Sequence, residues 1–208
     1  MLQTEWLVII VVGYLLGSIP TGLVVGKLLR GIDIREYGSG QVGATNTLRT
    51  LGRGPSAAVF LFDMAKGAGA LLLARSLGGP AMVQALAATA AIAGHCWSVY
   101  IGFRGGRGVA TGVGALFAYN PLVGALALAA ALITMARTRY ASLGSLVGTA
   151  VGFIIVTGMI VTRSVSPDWF IYAVGATGII FLRHRENIAR LRAGTERRLG
   201  KQEDKQLA

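Results

Sequence analysis

Two glycine-rich segments of this 208-residue sequence combine residue types that bind anions. Glycine allows close backbone approach, so that successive N–H groups can point at one anion, and arginine offers a planar fork suited to phosphate. The first segment has a G-x-G-x-x-G spacing, but no strand is predicted before it, so a dinucleotide-binding fold is not indicated. A flexible turn is the alternative interpretation. Its candidate ligands are Gly38, Ser39, Gly40, Gly43, Thr45, Asn46 and Arg49.

The second glycine-rich segment stands just before a predicted helix that begins at Val109. A glycine loop entering a helix N-terminus favours anions, because free N–H groups and the helix dipole both face the ligand. The alternative is a basic loop that only reflects the bias of positive charge towards the cytoplasm. His95 and Cys96 upstream do not form a nucleophilic pair, since adjacent residues of a helix do not face each other. The candidate ligands here are His95, Arg104, Gly105, Gly106, Arg107 and Gly108.

Two further polar groups stand at predicted helix ends. The first group stands at the start of one predicted helix and consists of Arg139, Ser142 and Ser145. The alternative role for its serines is simple capping of that helix. His184 and Asn187 are spaced i, i+3, which places them on one helix face and lets both point at one ligand. The alternative for this second group is an amphipathic basic tail lying on anionic lipid.

The chain that must position these motifs is too apolar for a soluble domain. Hydrophobic residues make up 53% of it, charged residues only 14%, and the mean hydropathy is +0.61. Soluble domains carry about a quarter charged residues. The net charge of +11 is spread over short segments without a continuous basic face, so nucleic acid is not an expected partner. The single cysteine excludes an internal disulfide.

Apolar runs predict an all-α integral membrane protein of seven transmembrane helices in a single domain over residues 1–208. A full span takes about 20 apolar residues, and the fourth, fifth and seventh runs are shorter than this. Residues 183–208 are predicted to form a basic cytoplasmic tail. The runs cover residues 6–29, 55–74, 81–99, 109–119, 122–136, 143–161 and 169–182.

The distribution of positive charge predicts the orientation of these spans. Asn120-Pro121 is interpreted as a turn between two spans, because a kink in one merged span would put the basic tail outside, against the positive-inside tendency. With the turn, all four motifs and most of the basic residues share one side. The sequence therefore predicts an outside N-terminus and a cytoplasmic C-terminus.

Asp63 and Lys66 stand within the second predicted span at i, i+3 spacing. Ionisable residues inside a membrane are expensive, which makes function the default hypothesis for them. Mutual pairing that locks helix packing is at least as well supported, so neither residue is placed in the predicted site.

The motifs also match a known family in their combination. They are Gly17-Ser18-Ile19-Pro20, Asp33-Ile34-Arg35, Gly38-Ser39-Gly40 through Asn46 and Arg49, Gly94-His95, the loop at residues 105–111, Ser142-Leu143-Gly144-Ser145, and His184 with Asn187. Over nearly its whole length the chain resembles the bacterial acyl-phosphate:glycerol-3-phosphate acyltransferases, which are small inner-membrane enzymes. The resemblance implies transfer of an acyl group from acyl phosphate to the 1-hydroxyl of glycerol 3-phosphate. The products would be 1-acylglycerol 3-phosphate and inorganic phosphate.

The resemblance also implies roles for single residues at a site facing the cytoplasm. Ser39 and Arg49 are tied to activity, His184 and Asn187 to the site, and the loop at residues 105–108 to glycerol 3-phosphate. Glu196 matches a position associated with structural integrity.

Three positions depart from the family pattern. Gln41 stands where Asn is usual, Ser98 where Pro is frequent, and Arg107 where Lys is usual. Arg107 keeps the charge but replaces a point charge with a fork.

The expected chemistry needs neither a metal nor a cofactor. An acyl phosphate carries a good leaving group, so the protein mainly positions two anions and stabilises the developing oxyanion. Either the leaving phosphate or His184 takes the hydroxyl proton. The sequence lacks the His-x-x-x-x-Asp pattern carried by many thioester-using acyltransferases, which favours acyl phosphate as donor. The expected partners are both substrates and membrane lipid, and the sequence does not identify protein partners.

Two other functional classes were compared with this interpretation. A small transporter or channel for anionic metabolites would use similar basic loops, but it should place polar groups near the bilayer midplane. A nucleotide-using kinase is less well supported, because the sequence contains no G-x-x-x-x-G-K-[ST] motif.

Overall fold

The computed structural model describes residues 3–200, which form ten α-helices and two short 3₁₀ turns and contain no β-strand. The helices are α1 (Gln3–Ser18), α2 (Thr21–Arg30), α3 (Ala44–Leu51), α4 (Arg53–Ser76), α5 (Ala81–Cys96), α6 (Val109–Tyr119), α7 (Pro121–Thr138), α8 (Ala141–Val161), α9 (Trp169–Arg183) and α10 (Arg185–Arg192). The 3₁₀ turns are Ile34–Glu36 and Val99–Ile101. The all-α prediction is confirmed for these residues. Residues 201–208, at the end of the predicted basic tail, lie outside the described part of the chain.

Five helical segments are long and apolar enough to cross a bilayer, and α6 and α9 are apolar but shorter. In hydrocarbon every backbone N–H and C=O must find its partner within the segment, which is why the apolar runs become helices. Each of the seven predicted runs contains an apolar helix, and the number that crosses the membrane stays a prediction. The five segments are Thr4–Arg30, Arg53–Ser76, Ala81–Ile101, Pro121–Thr138 and Ala141–Val161.

Two of these segments show how local sequence interrupts a helix. Pro20 separates α1 from α2 within the first apolar segment, because proline lacks the N–H that would continue the helix. Asn120 ends α6 and caps α7, where its Oδ1 accepts hydrogen bonds from the N–H groups of Leu122 and Val123 at 3.0 and 3.3 Å. Asn120-Pro121 is therefore a turn between two helices, as predicted.

The helices pack so that the polar motifs gather at one end of the bundle. Helix α1 packs on α4 and α5, α4 on α6, α7 on α8, and α9 on α5 and α8. Helices α4 and α6 approach closely, because a Cβ at Gly67 or Gly114 would overlap a backbone carbonyl of the other helix. The alternating directions bring the C-terminal ends of α5, α7 and α9 and the N-terminal ends of α6 and α8 to the same end.

Candidate active site

The loop before α3 is built around the side chain of Asn46, which is only 1% exposed. Its Oδ1 accepts hydrogen bonds from the Ser39 N–H at 2.7 Å and the Ser39 hydroxyl at 3.2 Å. Its Nδ2 donates to the carbonyls of Ile34 and Tyr37 at 3.0 and 3.1 Å. The positive φ of +58° at Gly38 explains the glycine there. Asn46 therefore stabilises the loop through these hydrogen bonds. Its neighbours in the loop, and not Asn46 itself, are the residues available to contact a ligand.

The first two amide groups of the second glycine loop donate hydrogen bonds to the end of α5. The Gly105 N–H donates to the Cys96 carbonyl at 3.2 Å, and the Gly106 N–H donates to the His95 carbonyl at 2.9 Å. These amides are therefore committed to the protein itself. What the loop presents towards the neighbouring cavity is the side chain of Arg107.

Arg183, at the end of α9, holds the same loop from the opposite side. Its Nε donates to the Gly106 carbonyl at 3.1 Å and its Nη2 to the Gly105 carbonyl at 3.3 Å. The guanidinium also lies over the Trp97 ring, 5.7 Å from its centroid. The loop is thereby held between α5 and α9.

A third polar group forms where the chain after α10 folds back on α8. Glu196 Oε1 accepts hydrogen bonds from Ser142 Oγ at 2.7 Å and Asn187 Nδ2 at 2.6 Å, and Oε2 accepts one from Arg190 Nε at 2.8 Å. Burial by itself would raise the pKa of Glu196, but these three donors lower it below its ordinary value. Ser142 does not cap α8, because the residue at the N-cap is Tyr140.

These three groups enclose a polar cavity of about 160 Å³ at the end of the bundle. Four arginines and two glutamates contribute to its wall, so positive charge predominates. Burial lowers the pKa of Arg107 to about 10, which still leaves the guanidinium charged at neutral pH. The lining residues are Gly38, Ser39, Gln41, Thr45, Arg49, Arg107, Ala141, Ser142, Glu186, Asn187, Arg190, Glu196 and Arg197. The arrangement is suited to binding phosphate groups.

His184 lies next to this region but is not part of the cavity wall. The ring is 1% exposed, and its Nδ1 stands 2.8 Å from the Ile180 carbonyl, so Nδ1 carries the proton and donates. Burial lowers the pKa of His184 to about 4. The imidazole is therefore neutral at physiological pH.

The structure separates the predicted site residues into three groups. Those on the cavity wall are Gly38, Ser39, Thr45, Arg49, Arg107, Ser142 and Asn187. Those that shape the loops or lie buried behind the wall are Gly40, Gly43, Asn46, His95, Gly105, Gly106, Gly108, Ser145 and His184. Arg104 and Arg139 are exposed and do not line the cavity.

Several wall residues were not expected from the sequence. Glu186, Arg190 and Arg197 line the cavity, although sequence patterns placed them only in a basic tail. Gln41 lines it too, although it had been noted only as a departure from the family pattern. Arg183 holds the second loop by hydrogen bonds, although the sequence placed it only in the predicted basic tail. The available signal was the mixture of acidic and basic residues between 183 and 198, which differs from a purely basic lipid-binding tail.

Comparison with known proteins agrees with this geometry. The family profile described as glycerol-3-phosphate acyltransferase matches residues 7–194. The chain belongs to this family. A glycerol-3-phosphate acyltransferase from Moorella thermoacetica is 49% identical over 195 residues, which cover 94% of this chain and 98% of that protein. One from a Synechococcus species is 44% identical over 194 residues, which cover 93% and 95%.

Solved structures of family members share the fold. PlsY, described as an integral membrane glycerol 3-phosphate acyltransferase, matches in its glycerol 3-phosphate form with a TM-score of 0.87 and 38% identity. That match covers 94% of this chain and 96% of PlsY. Its lysophosphatidic acid form matches with a TM-score of 0.85 and 37% identity. The chain is therefore a multi-pass integral membrane protein of this family, and the resemblance drawn from its motifs is confirmed at this level.

Proposed function

We propose that this protein transfers an acyl group from acyl phosphate to the 1-hydroxyl of glycerol 3-phosphate, with release of inorganic phosphate. The observation that carries the proposal is the arginine-lined cavity at the end of an apolar helix bundle, in a member of this family. The solved structures of PlsY in a glycerol 3-phosphate form and a lysophosphatidic acid form support the acceptor and the product. The name lysophosphatidic acid denotes 1-acylglycerol 3-phosphate.

The cavity supports binding of two phosphate-bearing substrates side by side. Arg49 enters from α3 and Arg107 from the second glycine loop, so cationic groups approach from two elements. Ser39 and Thr45 add hydroxyl groups on the first of these sides. We assign Arg107 to the phosphate of glycerol 3-phosphate and the group around Ser39 and Arg49 to the acyl phosphate.

The reaction requires little chemistry from the protein itself. The 1-hydroxyl oxygen attacks the acyl carbonyl carbon, the bond from that carbon to the phosphate oxygen breaks, and phosphate departs with the electron pair. Of the two proton acceptors considered from the sequence, the leaving phosphate is the better, because the low pKa of His184 makes its ring a weak base. The protein contributes alignment of the two anions and charge stabilisation.

The surroundings of the cavity support a lipid-soluble donor. A small apolar crevice of about 30 Å³ lies between α6, α8 and α9. It begins at Val109, close to Arg107 in the chain, and includes Ile180, one turn before His184. This apolar surface would suit an acyl chain whose phosphate contacts the arginines of the cavity.

We place the enzyme in the bacterial inner membrane with seven spans and its cavity on the cytoplasmic side. The basic residues cluster at the end of the bundle where the cavity lies, and cytoplasmic segments carry the excess of Lys and Arg. Both water-soluble glycerol 3-phosphate and the product phosphate would then exchange directly with the cytoplasm.

The decisive experiment is an acyl-transfer assay with purified protein in detergent. Acyl phosphate and glycerol 3-phosphate are expected to give 1-acylglycerol 3-phosphate and phosphate at equal rates, with chelator present and no nucleotide added. Inorganic phosphate at millimolar concentration should inhibit, because it is a product that fits the same cavity. The variant Arg49→Ala, prepared identically, controls for contaminating activity.

Two other outcomes would contradict the proposal. Comparable rates from acyl-CoA with acyl phosphate rigorously absent would exclude the assigned donor. No turnover in detergent, together with glycerol 3-phosphate uptake in sealed vesicles, would favour the transporter alternative.

A further inference from the structure

A charged cluster lies inside the bundle, apart from the cavity described above. Asp63 and Lys66 of α4 and His95 of α5 are 1%, 8% and 5% exposed. Lys66 Nζ lies 2.8 Å from Asp63 Oδ1 and also donates to the Ile19 carbonyl at 3.0 Å. The Thr21 hydroxyl donates to the same Asp63 oxygen. The pairing expected for Asp63 and Lys66 is thus present, but the cluster is larger than a pair and joins three parts of the chain.

His95 extends this cluster towards the second glycine loop. Its Nδ1 lies 3.5 Å from Asp63 Oδ1, a little longer than a hydrogen bond. Among the described residues Nδ1 has no hydrogen-bond partner, and the Asp63 carboxylate is the charged group that faces it. The opposite edge of the ring faces the loop, because a Cβ added at Gly106 would overlap His95 Nε2.

The His95 imidazole therefore packs against the inner side of the glycine loop and fixes its position. The Gly106 N–H is bound to the His95 carbonyl at 2.9 Å, so both backbone and ring of this residue touch the loop. The next residue along the chain is Arg107, whose side chain lines the cavity. A rotation or shift of the ring would move the loop backbone and with it the guanidinium.

We propose that Asp63 is a positioning residue for glycerol 3-phosphate: it holds the His95 imidazole, and that ring sets the place of the glycine loop. This inference rests on the proposed function, in which the loop presents Arg107 to the phosphate of the acceptor. Holding the helices together does not by itself explain the cluster, because a buried ion pair contributes little net free energy of folding over apolar residues. Control of ring orientation gives a reason for a carboxylate at this position.

The first test measures the ring and does not depend on enzymatic activity. The protein has only two histidines, so nitrogen NMR of histidine-labelled protein resolves both rings, and His184→Gln assigns them. Wild-type His95 is expected to be a single neutral tautomer with the proton on Nδ1. In Asp63→Leu/Lys66→Met, which leaves no unpaired ammonium, the signals should change to a tautomer mixture while those of His184 stay. An unchanged His95 spectrum would overturn the proposal.

The second test compares that variant with Asp63→Asn/Lys66→Met, which retains an oxygen able to accept from Nδ1. The leucine variant should raise the KM for glycerol 3-phosphate about tenfold relative to the asparagine variant. The KM for acyl phosphate should change less than about twofold, and in an Arg107→Ala background the two variants should differ by less than about twofold. Equal changes in both KM values, or effects that multiply with Arg107→Ala, would indicate a merely structural role and overturn the proposal.

A third variant tests the contact from the loop side and leaves Asp63 and Lys66 unchanged. Gly106→Ala places a methyl group against His95 Nε2, and the same selective rise in the KM for glycerol 3-phosphate is expected. A wild-type KM in this variant would overturn the proposal even if the cluster variants failed to fold. Failure of the proposed function is distinguishable, because it would appear as inactivity of the wild-type protein while the NMR result still stood.

Discussion

Asn187 donates from its Nδ2 to Glu196 Oε1 at 2.6 Å, and this hydrogen bond ties α10 to the segment that follows it. Ser142, at the start of α8, donates to the same oxygen from 54 residues away. The cavity wall is thus closed by one carboxylate that joins the last part of the described chain to the helix bundle. Glu196, which lies in the predicted basic tail, thus forms part of the cavity wall.

Removal of this carboxylate should loosen the wall. Glu196→Ala takes away the acceptor of three hydrogen bonds and leaves buried donors without a partner, which should cost about 2 kcal/mol or more. We expect a lower thermal unfolding midpoint in detergent together with reduced acyl transfer. The matched control is Glu186→Ala, because the Glu186 side chain is 75% exposed and stands 4.0 Å from Arg190. A drop in midpoint as large for Glu186→Ala would contradict this account.

The two arginines of the second glycine loop should behave differently. Arg107 lines the cavity, whereas Arg104 is exposed and does not. Loss of a charge-assisted hydrogen bond to phosphate costs about 1.5–3 kcal/mol, so Arg107→Ala should lower kcat/KM for glycerol 3-phosphate roughly tenfold to one hundredfold. Arg107→Lys should retain much of the activity, because lysine is usual at this position in the family.

Arg104→Ala is the control for the loss of a positive charge near the membrane surface. It should leave kcat/KM within about twofold of wild type, since surface charges contribute little. An equal loss of kcat/KM in Arg104→Ala and Arg107→Ala would contradict phosphate binding in the cavity.

His184 should make the protein sensitive to mild acid. Burial lowers its pKa to about 4, whereas an unfolded chain has a histidine pKa of about 6.5. The unfolded state therefore binds more protons between these values, so the contribution of His184 to stability is complete above about pH 6.5 and is lost as the pH falls towards 4. Unfolding midpoints measured from pH 7 to 5 should decline less steeply in His184→Gln than in wild type. The same slope in both proteins would contradict a buried neutral ring.

The proposed orientation can be tested by labelling with an impermeant thiol reagent in intact cells. In a Cys96→Ala background, Arg104→Cys and Arg137→Cys occupy exposed positions at the cavity end and should be protected. Ser164→Cys, exposed in the turn after α8 at the other end, should react. Permeabilised cells, in which all three should react, provide the control. Reaction of Arg104→Cys in intact cells at the rate of Ser164→Cys would reverse the orientation.

The sequence by itself determined the helices and the side on which the polar groups gather. Apolar runs of this length have one low-energy solution in a bilayer, because backbone hydrogen bonds must close within each segment. The break at Asn120-Pro121 was equally local, since proline cannot continue a helix and asparagine caps the next one. The family followed from the combination of motifs, whereas anion binding by the two glycine loops stays a prediction.

Only the tertiary structure decided which members of those motifs face the cavity. Asn46 and Arg107 both stood in polar loops in the sequence, yet Asn46 is consumed by the backbone carbonyls of Ile34 and Tyr37 while Arg107 lines the wall. Ser142 donates to an acceptor 54 residues away, and Lys66 donates to the Ile19 carbonyl across a helix interface. Such choices depend on which donor and acceptor the packed helices bring within about 3 Å of each other, and no local pattern encodes that distance.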